Sequence, residues 1–246
     1  MADRYFVSQP IAGDRVVLSE AEAHHLARVM RAQPGDEVVL FDGTGGEYRA
    51  RLEQVTRHEV RLSVGPRLEI DREARLRVTL GVALPKGDRQ RWLIEKAVEL
   101  GVARLIPLET QRGVAQPAAN TLERLARGVI EAAKQCGRNR LMEVAAAASW
   151  SSFVGAAPGG SVRLLAHPAG EMPADAGAAK PLSLLSPPHS LAAQTEVWIA
   201  VGPEGGLTAD EVRAALDQDW QAVDLGARIL RVETAALALA GAYLLG

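Results

Sequence analysis

The sequence predicts an α/β chain of two unequal domains: a small N-terminal β barrel over residues 1–72, then a helix-covered parallel sheet over residues 73–246. Three observations lead there. The first seventy or so residues hold short alternating apolar runs split by Gly-dense turns. Beyond Pro66–Arg75 the rhythm changes to strand, helix, strand, which builds a parallel sheet covered on both faces. Aromatics make up only 4% of the chain while Ala and Leu are plentiful, which suits helix-rich packing better than a large β sandwich.

In the first domain, Ser19 and Glu22 have capping-box spacing and open a helix that runs on to Met30, where Pro34-Gly35 then breaks the chain. Val38–Phe41, the turn Asp42–Gly46 and the run Glu47–Leu52 make a hairpin, and Val60–Val64 alternates in the same way. The charged, unpatterned stretch Pro66–Arg75 marks the boundary. In the second domain Val78–Leu84 and Leu105–Leu108 read as strands. Arg89–Leu100 and Leu122–Cys136 read as helices stopped by Gly101 and Gly137. Val162–Ala166 and Val197–Val201 are further strands, joined by a poorly patterned Ala/Pro/Ser-rich connection over 168–194.

Net charge is −2, so no strongly basic footprint of a nucleic-acid binder is present. The average conceals a gradient. Residues 84–141 carry eleven Lys/Arg against six Asp/Glu, and Lys134, Arg138 and Arg140 fall close together without an acid between them. Such a patch holds phosphates, or is a solvated helix end. The start of the chain is too polar for a signal peptide and no run reaches a membrane span, so a cytoplasmic protein is expected. With one cysteine, Cys136, and no His/Asp/Glu grouping at zinc spacing, neither a disulfide nor a metal site is expected. Cys136 ends a helix, where the dipole disfavours a thiolate, so it is read as structural. His24 and His25 are read as one core and one surface residue of their helix.

Two Gly-rich corners follow strands near the C-terminus. Gly202-Pro203-Glu204-Gly205-Gly206-Leu207 follows Val197–Val201, and Thr208 with Glu211 then caps a helix. Leu225–Ala235 follows a short strand at Ala222–Asp224 and leads into Ala235–Leu245, apolar nearly all round and therefore buried in the fold or in a partner. Ligands bind at the carboxyl ends of strands in open α/β sheets, and glycine lets backbone amides approach them. A plain tight turn explains the same glycines. Arg231 and Glu233, just before the apolar helix, are either functional or a structural ion pair. Neither corner has the ending of a phosphate-binding P-loop.

GPEGGLTADE, LGARILRVETAALA, EAAKQCGRNR, HHLARVMRAQPGDEVVLFDG and LPKGDRQRWLIEKAVELGV together resemble the ribosomal RNA uridine-N3 methyltransferases called RsmE, over nearly the whole chain. The resemblance implies a PUA-like RNA-binding barrel followed by a SPOUT domain with a deep trefoil knot, and a homodimer packed around that knot. It implies S-adenosylmethionine as cofactor and a uridine of 16S ribosomal RNA in the small subunit as substrate. On these terms His167, Val201, Gly202, Gly205, Leu225, Gly226, Leu230, Val232 and Thr234 are the expected cofactor contacts. Uracil N3 is mostly protonated at neutral pH, so a base or a stabilising cation is needed, and Glu204 and Arg231 are the candidates. Arg4, Arg28, Arg31, Lys134, Arg138 and Arg140 are the candidate phosphate contacts. Two rivals remain from other classes: a non-catalytic RNA-binding protein on the same fold, and a nucleotide hydrolase, which lacks its paired metal-binding carboxylates.

Overall fold

In the computed structural model, residues 3–18, 20–24, 26, 30, 32–56, 59–113, 119–184 and 188–245 are described. The chain divides into two units, Met1–Glu73 with Ile130–Leu141, and Ala74–Val129 with Met142–Gly246. The 130–141 segment, expected in the second domain, belongs to the first unit.

The first unit is a five-stranded sheet in the order β1-β3-β4-β5-β2. Its strands are β1 (Arg4–Phe6), β2 (Arg15–Val17), β3 (Glu37–Phe41), β4 (Glu47–Val55) and β5 (Val60–Leu68). Along β4 the pleat sends Tyr48, Ala50 and Leu52 into a core with Leu40 and Leu62, and turns Arg49 and Arg51 outward. The Asp42–Gly46 turn closes as expected, with Gly43 and Gly45 at φ of 81° and 106°. There the Asp42 carboxylate accepts hydrogen bonds from the Thr44 hydroxyl at 2.7 Å, the Ile11 amide at 3.0 Å and the Thr44 amide at 3.1 Å. Of the helix expected from Ser19 to Met30, α1 (Glu20–His24) is described. Ser19, His25, Arg28 and Arg31 lie outside the described residues.

Long-range polar bonds draw 130–141 into this unit, and they overturn half of the expected phosphate surface. Arg4 donates to Glu47 at 2.7 Å and to Asn139 at 2.5 Å, with 8% of its side chain exposed. Arg138 makes a two-pronged bond to Glu73 with 4% of its side chain exposed, and Asn139 donates to the Ile70 carbonyl. Lys134 bonds both oxygens of Glu22 at 3.1 Å and lies over the Tyr5 ring. Arg4, Lys134 and Arg138 are therefore interior ties rather than phosphate contacts: desolvating a charge is costly, and each has already found its carboxylate. Arg140 alone of the described candidates is exposed.

Burial works to raise the pKa of Glu47, but hydrogen bonds from Arg4, Arg72 and Asn139 outweigh it and hold that pKa below its ordinary 4.5. A lowered carboxyl contributes stability above that value and loses it as pH falls through the lowered one. Glu47→Gln is expected to cost on the order of 3 kcal/mol, because Arg4 is left buried with one fewer anion. Urea unfolding at pH 7 checks the loss, and the same titration at decreasing pH should show a flatter acid limb in the variant.

The second unit contains a parallel sheet ordered β11-β13-β10-β12-β6-β7-β8, with β9 pairing β7 off this path. In chain order the elements are β6 (Arg77–Val82), α2 (Asp88–Leu100), β7 (Arg104–Glu109), α3 (Ala119–Cys136), β8 (Glu143–Val144), β9 (Ala148–Ser149) and α4 (Trp150–Gly155). Then come β10 (Val162–Ala166), β11 (Lys180–Pro181), β12 (Glu196–Val201), α5 (Ala209–Leu216), β13 (Gln221–Asp224) and α6 (Val232–Leu244). The end of α3 falls in the first unit. Central strands read as unbroken apolar runs because both their faces are covered: Val78, Leu80 and Val82 are buried, as are Val197–Val201. Gly81 interrupts β6 for a packing reason, since a Cβ there would lie 2.3 Å from the Phe153 ring. Phe153 in turn packs on Trp198 and Trp220, at centroid separations of 5.2 and 5.4 Å.

Helix ends follow the expected chemistry. Gly101 terminates α2 in the left-handed conformation, and Thr208 with Glu211 forms a complete capping box on α5. The final helix differs: α6 starts at Val232, so Glu233 lies in its first turn rather than before it. An acid at the positive end of a helix dipole favours that earlier start. The 168–194 connection consists of β11 and single turns of 3-10 helix at Ala169–Glu171, Leu182–Leu184 and Pro188–Ser190 around residues outside the description.

Candidate cofactor pocket

Three neighbouring strands end at one level. Ala166 of β10 stands in register with Val201, the last residue of β12, and with Val223 of β13. The three loops leaving them therefore emerge side by side and enclose a cavity of about 280 Å³. That is near the lower end for small-molecule sites, at the carboxyl edge where such sites form.

The first loop begins with His167, which is buried. Its amide bonds the Val223 carbonyl at 3.0 Å and ring Nε2 lies 3.1 Å from the Glu171 carbonyl. Gly202–Leu207 is the second loop. A Cβ on Gly202 would lie 2.7 Å from Leu207, a core residue, so that glycine already has a structural reason. Arg112 braces the turn by donating to the Gly205 carbonyl at 3.1 Å. The third loop, Leu225–Leu230, bends at Gly226, whose φ is 105° and whose amide donates to Asp224 at 3.2 Å. No described atom lies within 4 Å of a Cβ built at Gly226, so nothing in the packing demands glycine there except its backbone conformation.

Of the residues expected here, His167, Val201, Gly202, Gly205, Leu225, Gly226, Leu230 and Val232 line the cavity, and so does Glu204. Thr234 and Arg231 do not: Thr234 is exposed in the first turn of α6, and Arg231 is the exposed N-cap residue. Among the described residues Glu171, Glu204 and Asp224 line the cavity against a single cation, Arg228. That acidic lining suits a cationic ligand.

Sequence reading missed Glu171, Arg228 and Arg89. Arg89, in the first turn of α2, pairs with Glu204 at 3.0 Å and approaches Glu233 to 3.9 Å. No local pattern marks it. Its position just after the carboxyl end of β6, the sheet neighbour of β12, was the available signal. Among the described residues no cluster of His, Cys, Asp and Glu could hold a metal ion, and no helix is long and apolar enough to cross a membrane.

A family model for an RNA methyltransferase domain matches residues 72–244, and one for an RNA methyltransferase PUA domain matches residues 18–65. The molecule is thus of the class of RNA methyltransferases that carry a PUA domain. It is 36% identical over 237 residues to ribosomal RNA small subunit methyltransferase E of Synechocystis sp., covering 96% of this chain and 75% of the relative. For the enzyme of that name from Bacillus subtilis the identity is 32% over 220 residues, covering 88% and 84%. A crystal structure of ribosomal RNA small subunit methyltransferase E from Neisseria gonorrhoeae, bound to S-adenosyl methionine, matches with a TM-score of 0.83 at 30% identity, covering 98% of this chain and 96% of that one. The chain belongs to the ribosomal RNA small subunit methyltransferase E family.

Proposed function

We propose that this chain transfers a methyl group from S-adenosylmethionine to N3 of a uridine in the 16S ribosomal RNA of the small subunit. The observation that carries the reading is the cavity at the level ends of β10, β12 and β13, with its three carboxylates against one guanidinium. A bound sulfonium supplies an activated methyl, and its positive charge matches that lining. His167, Gly202, Gly205 and Gly226 present backbone and ring atoms to the adenosine and methionine parts. Glu204 accepts the N3 proton at the rim, where its ion pair with Arg89 holds the carboxylate in place. Exposed Arg231 stabilises charge on the uracil oxygens. Arg140, with Arg49 and Arg51 on the outer face of β4, meets phosphates.

The test is methylation of small-subunit RNA, both free and assembled, followed by mass mapping. One methyl on a uridine base is the expected product, and no cofactor-dependent mass gain would overturn the reading. Arg231→Ala should slow single-turnover transfer at least tenfold with RNA affinity retained. Arg140→Glu should weaken RNA binding and lower its salt slope by about one charge, with cofactor affinity unaltered.

A homodimer belongs to the same proposal. Leu245 at the end of α6 is 75% exposed and Ile229 before it 96%, two large apolar side chains that a second copy would cover. Sedimentation at micromolar concentration should give a dimer, and Leu245→Asp should shift it toward monomer. We also propose the trefoil knot, supported by the path of α6, which leaves the β13 side and packs on β6, β10 and β12. A cytoplasmic location follows from the substrate.

A further inference from the structure

A second cavity of about 220 Å³ adjoins the first, and Pro203 and Glu204 line both. Its other walls come from the end of β6 and the end of β7. Ala83, Leu84 and Leu108 give it buried apolar surfaces, Gly113 an open side, and Lys86 a cation. A Cβ on Gly113 would lie 2.8 Å from the Thr110 hydroxyl, which is buried without a hydrogen-bond partner among the described residues. Glycine at 113 thus has a packing reason at the wall of the cavity.

We infer that this second cavity receives the target uracil, extruded from its RNA stack, and that Lys86 is the residue that selects it. The inference rests on the methyl-transfer reading above and names the acceptor side of that site. A flat ring is matched by Ala83, Leu84, Leu108 and Pro203. The imide edge of uracil presents an acceptor, a donor and an acceptor: O4, N3–H and O2. A carboxylate beside an ammonium is complementary to two neighbouring members of that set, Glu204 accepting from N3–H and Lys86 donating to a flanking carbonyl. Cytosine has no proton on N3 and would set its lone pair against the carboxylate. Because Glu204 borders both cavities, a base whose N3 meets it stands at the boundary with the methyl donor. The N3 proton passes to the Glu204 carboxylate, the N3 lone pair forms the new N–CH3 bond, and the electron pair of the breaking C–S bond stays on sulfur. Lys86 stays protonated and stabilises charge spread onto the ring oxygen. Extrusion of the base is the usual means by which an enzyme reaches a ring atom held in a stack.

The test uses the full chain without cofactor and two soluble probes, uridine 5′-monophosphate and cytidine 5′-monophosphate, in ligand-observed saturation-transfer NMR. Wild-type protein should transfer saturation to the uracil H5 and H6 at least threefold more strongly than to those of cytosine. Lys86→Gln, a surface change, should remove that preference, and Ala83→Leu, which fills the cavity, should remove the signal. Calorimetric titration with S-adenosylmethionine should give wild-type affinity for both variants, which also establishes that they fold. In single-turnover methylation Lys86→Gln should be at least tenfold slower. RNA carrying 5-fluorouridine, whose N3 proton is more acidic, should restore the variant more than the wild type. Equal transfer to both nucleotides by wild type, or an undiminished preference in Lys86→Gln, would overturn the inference alone. Failure of the wild type to bind cofactor would instead overturn the methyl-transfer reading and this inference with it.

Discussion

Gly226→Val is expected to weaken S-adenosylmethionine binding at least a hundredfold, about 2.7 kcal/mol, while the protein stays folded. Gly226 holds a φ of 105° on the third loop of the cavity, and a β-branched residue is strained there by roughly 1–2 kcal/mol. The loop is exposed and has room to respond. Either the valine keeps the left-handed turn under strain, or the backbone relaxes and carries the Ala227 and Arg228 amides away from the cavity. The first outcome sets an isopropyl group on the cavity wall and the second moves the backbone that forms it. Gly202→Val is the weaker experiment, although Gly202 lines the same cavity. Its side chain would collide with Leu207, which packs with Trp150, Phe153 and Trp198, so about 1–3 kcal/mol of stability goes first. Calorimetric titration and thermal melting of both variants separate the effects. Wild-type affinity in folded Gly226→Val protein would show that the 225–230 loop is not the cofactor's wall.

The two glycine corners were legible because turn chemistry is local: strand and glycines lie within a dozen or so residues of each other, and at the first corner a capping box follows at once. The central strands were legible for a related reason, since burial on both faces leaves a continuous apolar run. What escaped has no local signature. Two-residue strands such as β8 and β11 exist only through pairing with β7 and β13. The six residues of α4 are too few to show a helical period, although Trp150, Phe153 and Val154 anchor it. Arg4 and Arg138 carry the plainest lesson. Charge clustering makes Arg138 part of a surface patch and Arg4 is expected beside it as a phosphate contact, yet Glu47 and Glu73, each dozens of residues away, take them into the interior. Exposure of a charge depends on its partner, and distant partners are invisible to spacing.

Arg89 is the same lesson applied to the site, and its removal should cost about 2 kcal/mol and slow methyl transfer. Glu233 has 6% of its side chain exposed, and its Oε2 is buried with no hydrogen-bond partner among the described residues. The guanidinium of Arg89, 3.9 Å away, is the cation beside it. Breaking a fully buried pair costs about 3–5 kcal/mol because a bare charge is left behind. Two features reduce that figure here. Arg89 is 36% exposed, so water already screens the pair, and Glu233 lies in the first turn of α6, where the helix dipole favours an anion by about 0.3–1 kcal/mol. If the carboxylate is what makes Arg89→Ala costly, then Glu233→Gln should recover most of the loss when combined with it. Urea unfolding of the two single variants and the double variant gives that coupling directly, and at least 1 kcal/mol is expected. Additive losses would mean that the dipole alone holds Glu233. The kinetic consequence runs through Glu204, which Arg89 also grips at 3.0 Å. Freed from that pair, the Glu204 carboxylate loses its fixed position between the two cavities, so the single-turnover rate of Arg89→Ala should fall at least tenfold. Glu233→Gln leaves the Arg89–Glu204 pair intact and should keep most of the rate. Equal slowing by both substitutions would place the defect in the packing of α6 rather than in the aim of Glu204.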